Sequence, residues 1–365
     1  MSLLLSSRER CIRAIEHDDV DRVPLVFRAR SEVVKALMDR LGLTKYEDLL
    51  RAFHIDIRFA PGIPLRGGYL PEDVEIKEGP YGPAFTVGYK GSFEIRKDIW
   101  GVKSIWAPDH TYTYTFIEHP LKSIDVKDYQ WPDVVEESID SVIKYCKVYG
   151  EHYLIYGGII HLFEIAWQLT GFNEFLKLMY TRPDFVNEIL DGLDRIRFKQ
   201  AKLLIEAGVD VIVDGDDVGA QTTMIVSPNL WRRFLKPRYK RLADLCHRHG
   251  VYFFFHSDGW IEPIIPDLVE IGVDILNPIQ PECMDPAKIK ENYGDKLCLE
   301  GTISVQRTLP FGSVEDVVNE VKDRIVKLGP TGFILGPTHA IQPDTPIENV
   351  TALYKAAIKY GRFKR

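Results

Sequence analysis

Eight times along the chain, a short apolar run is followed by a stretch of helical spacing. The runs lie at 23–27, 56–60, 153–157, 209–214, 251–256, 273–277, 297–301 and 332–336. The run 251–256 is continuously apolar until His256, as a strand buried on both faces must be, and such strands belong to parallel sheets. The helical stretches between the later runs lie at 183–207, 228–249, 261–271, 286–293, 313–328 and 346–360. Several stop at a glycine (Gly208, Gly250, Gly272, Gly294, Gly329), the residue that most easily takes the left-handed turn ending a helix. Eight alternations predict an α/β fold, a (β/α)8 TIM barrel. A doubly wound open sheet would want a glycine-rich phosphate loop after its first strand, and Phe27-Arg28-Ala29-Arg30 is not one.

The N-terminal part adds helices at 8–16, from Ser31 as N-cap to Gly42, and at 45–53. Between 71 and 120 the texture changes to Gly, Pro and aromatics. The runs 85–89 and 112–116 alternate there as exposed strands do. The expectation is one domain, 1–365, with an antiparallel β insertion at 71–120 after strand two, lying over the barrel mouth. Trp131-Pro132-Asp133 is expected to close it and to cap a helix at 134–149.

Composition narrows the function classes. No apolar run is long enough for a membrane helix, and residues 1–10 become charged too early for a secretory signal. A net charge of −7 with scattered basic residues argues against nucleic acid. Five cysteines with no CxxC pair predict neither a disulfide framework nor a thiolate zinc site. The expected setting is the reducing cytoplasm, and any metal would need nitrogen and oxygen ligands.

In such a barrel, chemistry sits at the C-terminal ends of the strands. Strand four ends in Asp214, Asp216 and Asp217. Three carboxylates so close raise one another's pKa unless a cation compensates, so Asp216 and Asp217 are candidate acid/base groups, clamps or metal ligands. The alternative for any of them is a helix or turn cap. Strand five ends in His256-Ser257-Asp258-Gly259-Trp260. Residues i and i+2 share a face, so His256 and Asp258 could ligate one cation, or pair while Asp258 caps the next helix. His339 lies on a Pro-flanked loop after strand eight, directly above the barrel. Expected substrate contacts are Arg28, His161, Glu164, Trp260, Glu300 and Gln306. Glu300 could equally pair with an arginine, and His161 with Glu164 one helical turn on.

Taken together these residues resemble the uroporphyrinogen decarboxylase superfamily. The resemblance rests on Arg8-x-x-Cys11-x-x-Ala14-Ile15 with Asp21-Arg22-Val23-Pro24, on Gly219-x-Gln221 with Ser227-Pro228, on Pro237-Arg238-Tyr239, and on Gly336-Pro337-x-His339-x-x-x-Pro343-Asp344. It implies a (β/α)8 barrel with its site at the C-terminal mouth. The decarboxylase's arginine-rich signature after strand one here reads Phe27-Arg28-Ala29-Arg30-Ser31, and its catalytic aspartate falls near Gly62-Ile63, where there is no acid. The branch that moves methyl groups between corrinoid proteins and small acceptors looks nearer. That branch binds zinc through His-x-Cys after strand five and a Cys after strand eight. The matching positions here are His256, Asp258 and His339.

The resemblance therefore implies a corrinoid-linked methyltransferase or demethylase acting on a small methylated substrate. Zinc would sit on His256, Asp258 and His339, with Asp216 or Asp217 as acid/base. The corrinoid would come on a separate protein, since the chain lacks a cobalamin-binding Asp-x-His-x-x-Gly, and the resemblance allows a homodimer. The alternatives are a metal-free decarboxylase using His339 and Arg28, and a ligand-binding barrel without turnover.

Overall fold

The computed structural model describes residues 5–108 and 113–363. Seven parallel strands follow one another in chain order across one sheet: Ile57–Phe59, Leu154–Gly158, Val211–Gly215, Tyr252–His256, Ile275–Asn277, Cys298–Glu300 and Phe333–Ile334. Each lies within its expected run or one residue from it. The register sets Gly215, His256 and Asn277 side by side on three neighbouring strands.

The expected strand at 23–27 forms single bridges instead of a ladder. Leu25 pairs in parallel with Leu335. Val26 N–H donates to Leu335 O at 3.1 Å, and Leu335 N–H to Pro24 O at 2.9 Å. On the other side Asp56 N–H donates to Leu25 O at 2.9 Å. The ladder stays short for two reasons: Pro24 has no N–H to give, and the Leu25 N–H goes to the Asp56 carboxylate at 2.8 Å. The segment thus touches both edge strands of the sheet.

Inside, Val26, Ile57, Leu154, Tyr156, Val211, Phe254, Ile275, Cys298 and Ile334 form one buried cluster, with at least one residue from every parallel strand. The helix Ser7–Ile15 packs Cys11, Ala14 and Ile15 against it. Beside it, Asp56 binds Arg10 and Arg22, both at 2.7 Å, with its side chain fully buried. The remaining helices cover the outside, and among the described residues none is long and apolar enough to cross a membrane.

Three helical expectations are corrected. The stretch 228–249 breaks at Leu235 into Pro228–Phe234 and Lys236–Arg248, because Pro237 cannot donate back to the preceding turn. Ser31 is the first helical residue, not the cap; Arg30 holds the cap position and makes no side-chain cap bond. Asp133 caps nothing. Pro132–Val134 pairs antiparallel with Leu65–Gly67, and the helix begins only at Ile139.

Between the strands Ile57–Phe59 and Leu154–Gly158 lies a second sheet of five antiparallel strands: Lys77–Gly79, Gly82–Lys90, Phe93–Asp98, Lys103–Trp106 and Tyr114–Glu118. The alternating run 85–89 falls in its second strand and most of 112–116 in its fifth. Tyr112 lies outside the described residues, as do Met1 to Leu4. Buried Trp100 joins two turns of this sheet, its indole N–H donating to Tyr81 O at 2.8 Å.

Candidate metal centre at the strand ends

Phe253, Phe254 and Phe255 are buried on both faces of their strand, and the chain turns polar at its last residue, His256. The imidazole Nδ1 lies 2.7 Å from Asn277 Oδ1 on the next strand. Its Nε2 faces Asp217 at 3.6 Å and Asp258 at 3.8 Å. The His339 ring stands 5.9 Å away, centre to centre. His256, Asp258 and His339 each place one ligand atom within 4.8 Å of the others.

This donor set fits a divalent cation. Asp258 Oδ1 is buried with no hydrogen-bond partner among the described residues, although buried carboxylate oxygens are normally satisfied. Burial pushes the Asp258 carboxyl up to about 6, helped by Asp217 and Glu164 and opposed by His256. Burial also lowers His339 to about 4, assisted by the charges of His256, Arg28 and Arg30, so it is a neutral imidazole at neutral pH. Two nitrogens and a carboxylate oxygen suit zinc or a similar metal.

Beside it lies a second group, His161, Glu164 and Asp216, whose ligand atoms also fall within 4.8 Å of one another. His161 Nδ1 is 2.6 Å from Glu164 Oε2. Burial alone would lower the His161 pKa, but Glu164, Asp216 and Asp214 raise it to about 9. Burial likewise pushes Glu164 upward, yet His161 and Tyr81 hold it below the usual carboxylate range. Tyr81 comes from the inserted sheet. Its hydroxyl donates to Glu164 Oε1, and its ring stands edge-on to His161 at 5.5 Å.

The strand-four aspartates separate into three roles. Asp214 pairs with Arg197, both fully buried. Asp216 accepts from Leu162 N–H at 3.2 Å, Glu164 N–H at 3.0 Å and the Tyr239 hydroxyl, so it orders the start of the helix Phe163–Thr170. Burial raises it to about 7, with the charges of Glu164 and Asp214 adding to this and His161 and Arg197 opposing. Asp217, 38% exposed, is the one left facing the mouth, and its Oδ1 accepts the Asp258 N–H at 2.8 Å.

Of the expected substrate contacts, Arg28 and Glu300 hold each other at 2.5 Å. Glu300 is fully buried and also accepts from the Tyr156 hydroxyl at 2.7 Å. Arg28 lies over the rings of Phe59 and Phe254. Gln306 is exposed on the loop beyond Ser304. Trp260 lines a cavity of about 400 Å3 with Leu176, Tyr180 and Met224, and none of the histidines borders it. Asn277, Tyr81 and Tyr239 are additions to the expected set. Asn277 ends an apolar strand just as His256 does, so the same rule could have found it. Tyr239 sits on a helix and Tyr81 in the insertion, where no local pattern marks them.

Residues 101–360 match the family described as Uroporphyrinogen decarboxylase (URO-D). A methylcobamide:CoM methyltransferase, MtaA, from Methanosarcina barkeri is 30% identical over 206 residues, 56% of this chain and 58% of that protein. A uroporphyrinogen decarboxylase from Coxiella burnetii is 24% identical over 193 residues, 50% of each chain. The chain thus spans little more than half the length of the curated relatives it matches. A solved methyltransferase from Methanosarcina mazei shares the fold, with a TM-score of 0.67 at 21% identity over 98% of this chain and 99% of that one. With well over half of its length matched, this chain belongs to the uroporphyrinogen decarboxylase family.

Proposed function

We propose that this family member is a methyltransferase that moves a methyl group from a small methylated substrate, such as a methoxylated compound, to a corrinoid carried on a separate protein. The parallel sheet is taken as a (β/α)8 barrel closed by segment 23–27, which its bonds to both sheet edges support. The observation that carries the reading is the meeting of His256, Asp258 and His339, with the orphaned Asp258 oxygen among them. The Methanosarcina barkeri relative, a methylcobamide:CoM methyltransferase by name, supports the reaction class.

His256, Asp258 and His339 would hold zinc. When bound, the metal supplies Lewis acidity, polarising an ether or hydroxyl oxygen. Nitrogen and oxygen ligands leave it harder than two thiolates would, which favours an oxygen substrate over a thiol. The chain's own groups do the rest. Asp217, half-exposed beside His256 Nε2, would exchange a proton with that oxygen. Tyr81, through Glu164, brings the inserted sheet to the edge of the site, where it can exclude water.

Purified protein supplied with zinc should hold one ion per chain. Asp258→Asn and His339→Ala should each weaken binding by more than the roughly 10–100-fold typical of an outer partner. Demethylation of a methoxylated panel by free cob(I)alamin should then depend on the metal. No stoichiometric zinc would remove the metal from the reading. Decarboxylation of uroporphyrinogen without methyl transfer would replace it with a carboxy-lyase.

A further inference from the structure

We propose that Asn277 is the positioning residue of His256, fixing its proton on Nδ1 and its lone pair on Nε2. The inference rests on the zinc reading for its purpose, though not for its geometry. An asparagine amide can turn either its oxygen or its nitrogen toward a histidine, and here Glu300 decides between them. Asn277 Nδ2 lies 3.2 Å from the main-chain oxygen of Glu300 and 3.3 Å from its Oε1. A main-chain carbonyl only accepts, so the amide nitrogen belongs on that side. The amide oxygen then faces His256 Nδ1 at 2.7 Å, and that contact is a hydrogen bond only if Nδ1 carries the proton.

Glu300 is itself fixed. It is fully buried, with Arg28 at 2.5 Å on one oxygen and the Tyr156 hydroxyl at 2.7 Å on the other. One line of bonds therefore runs from Arg28 and Tyr156 through Glu300 and Asn277 to His256. It joins four of the parallel strands to the segment beyond Phe27. Its end product is an Nε2 lone pair directed to the side where Asp217 and Asp258 lie. A ligating imidazole needs this arrangement, since its outer nitrogen must be held by an acceptor. The same line explains why Arg28 and Glu300 face each other rather than the mouth.

Metal-free protein labelled with 15N-histidine, studied at pH 8.5 by long-range 1H–15N spectra, reads the tautomer directly. The His256 signals are identified by their loss in His256→Gln. The expected result is an Nδ1–H ring in the unaltered protein. Asn277→Leu should shift it toward Nε2–H and weaken zinc about 10–100-fold. Asn277→Ala removes the same acceptor without adding volume and should do likewise. An Nε2–H ring in the unaltered protein would overturn the proposal, as would Asn277→Leu binding zinc normally. Should Asn277→Leu fail to fold, the tautomers of the unaltered protein and of Asn277→Ala still decide. If no form binds zinc while His256 carries its proton on Nδ1, the zinc reading fails and the positioning of His256 stands.

Discussion

Asp258 reaches its place by way of glycine. Gly259 has φ +84, and a Cβ there would stand 2.5 Å from the main-chain carbon of Gly219. Gly219 mirrors it, since its own Cβ would meet Asp258 O at 2.6 Å. The loops after strands Val211–Gly215 and Tyr252–His256 therefore approach backbone to backbone, closer than any side chain allows. Gly259 N–H also donates to Gln280 Oε1 at 2.5 Å, which pins the turn from a third loop. Gly259→Ala should strain the turn by about 1–3 kcal/mol, move Asp258 and lower zinc affinity along with the melting temperature. A variant that melts early but binds zinc normally would show that the turn does not set the ligand. The histidine and aspartate at this strand end were legible because a buried strand turning polar at its tip is a local signal. Tyr81 and Tyr239 were not, because each meets its carboxylate across a large gap in sequence.

The elements follow the same division between local and distant causes. Helices with glycine stops and buried strands came out close to their expected limits, since propensity and periodicity act over a few residues. Pro132–Val134 was misread as a cap because its partner, Leu65–Gly67, lies on the far side of the inserted sheet. Within that sheet Asp98 is the costly residue. It is 1% exposed, and its Oδ1 accepts the N–H groups of Trp100 at 3.0 Å and Val102 at 2.9 Å, which shapes the turn into Lys103–Trp106. Burial raises its carboxyl to about 7, with the Val102 and Trp100 N–H groups and Lys97 opposing. The folded value lies above the unfolded one. This group's contribution is therefore fully present below about pH 4 and is lost as pH rises through about 7. Asp98→Asn keeps an oxygen for the two N–H groups and removes the charge. Its melting temperature relative to the unaltered protein should improve from pH 4.5 to pH 8.5, by the equivalent of up to about 3 kcal/mol. A difference constant across that range would mean that Asp98 does not titrate as its burial requires.

At the scale of the molecule, the frame and the ligands make different demands on the sequence. Family membership and a shared fold over nearly the whole chain hold at 21–30% identity, because a parallel sheet covered by helices needs only strand burial, helix faces and turns in the right order. The site is a different matter: His256, Asp258 and His339 stand where the family resemblance implies a His-x-Cys and a Cys. Aspartate and cysteine are close in size, so Asp258→Cys changes the donor and little else. If the cation sits among His256, Asp258 and His339, that variant supplies one of the two cysteines that the family resemblance implies, at the position of Asp258. A thiolate is the softer ligand and zinc accepts it readily. Competition with a chelator should show zinc held at least about tenfold tighter in Asp258→Cys, and cobalt substitution should give a sulfur-to-metal charge-transfer band. Activity should move the opposite way on ethers, since a more electron-rich metal polarises oxygen less, while a thiol acceptor should gain. A folded Asp258→Cys protein without the charge-transfer band would place the cation elsewhere. The group His161, Glu164 and Asp216, whose ligand atoms also converge, would then be the next position to substitute.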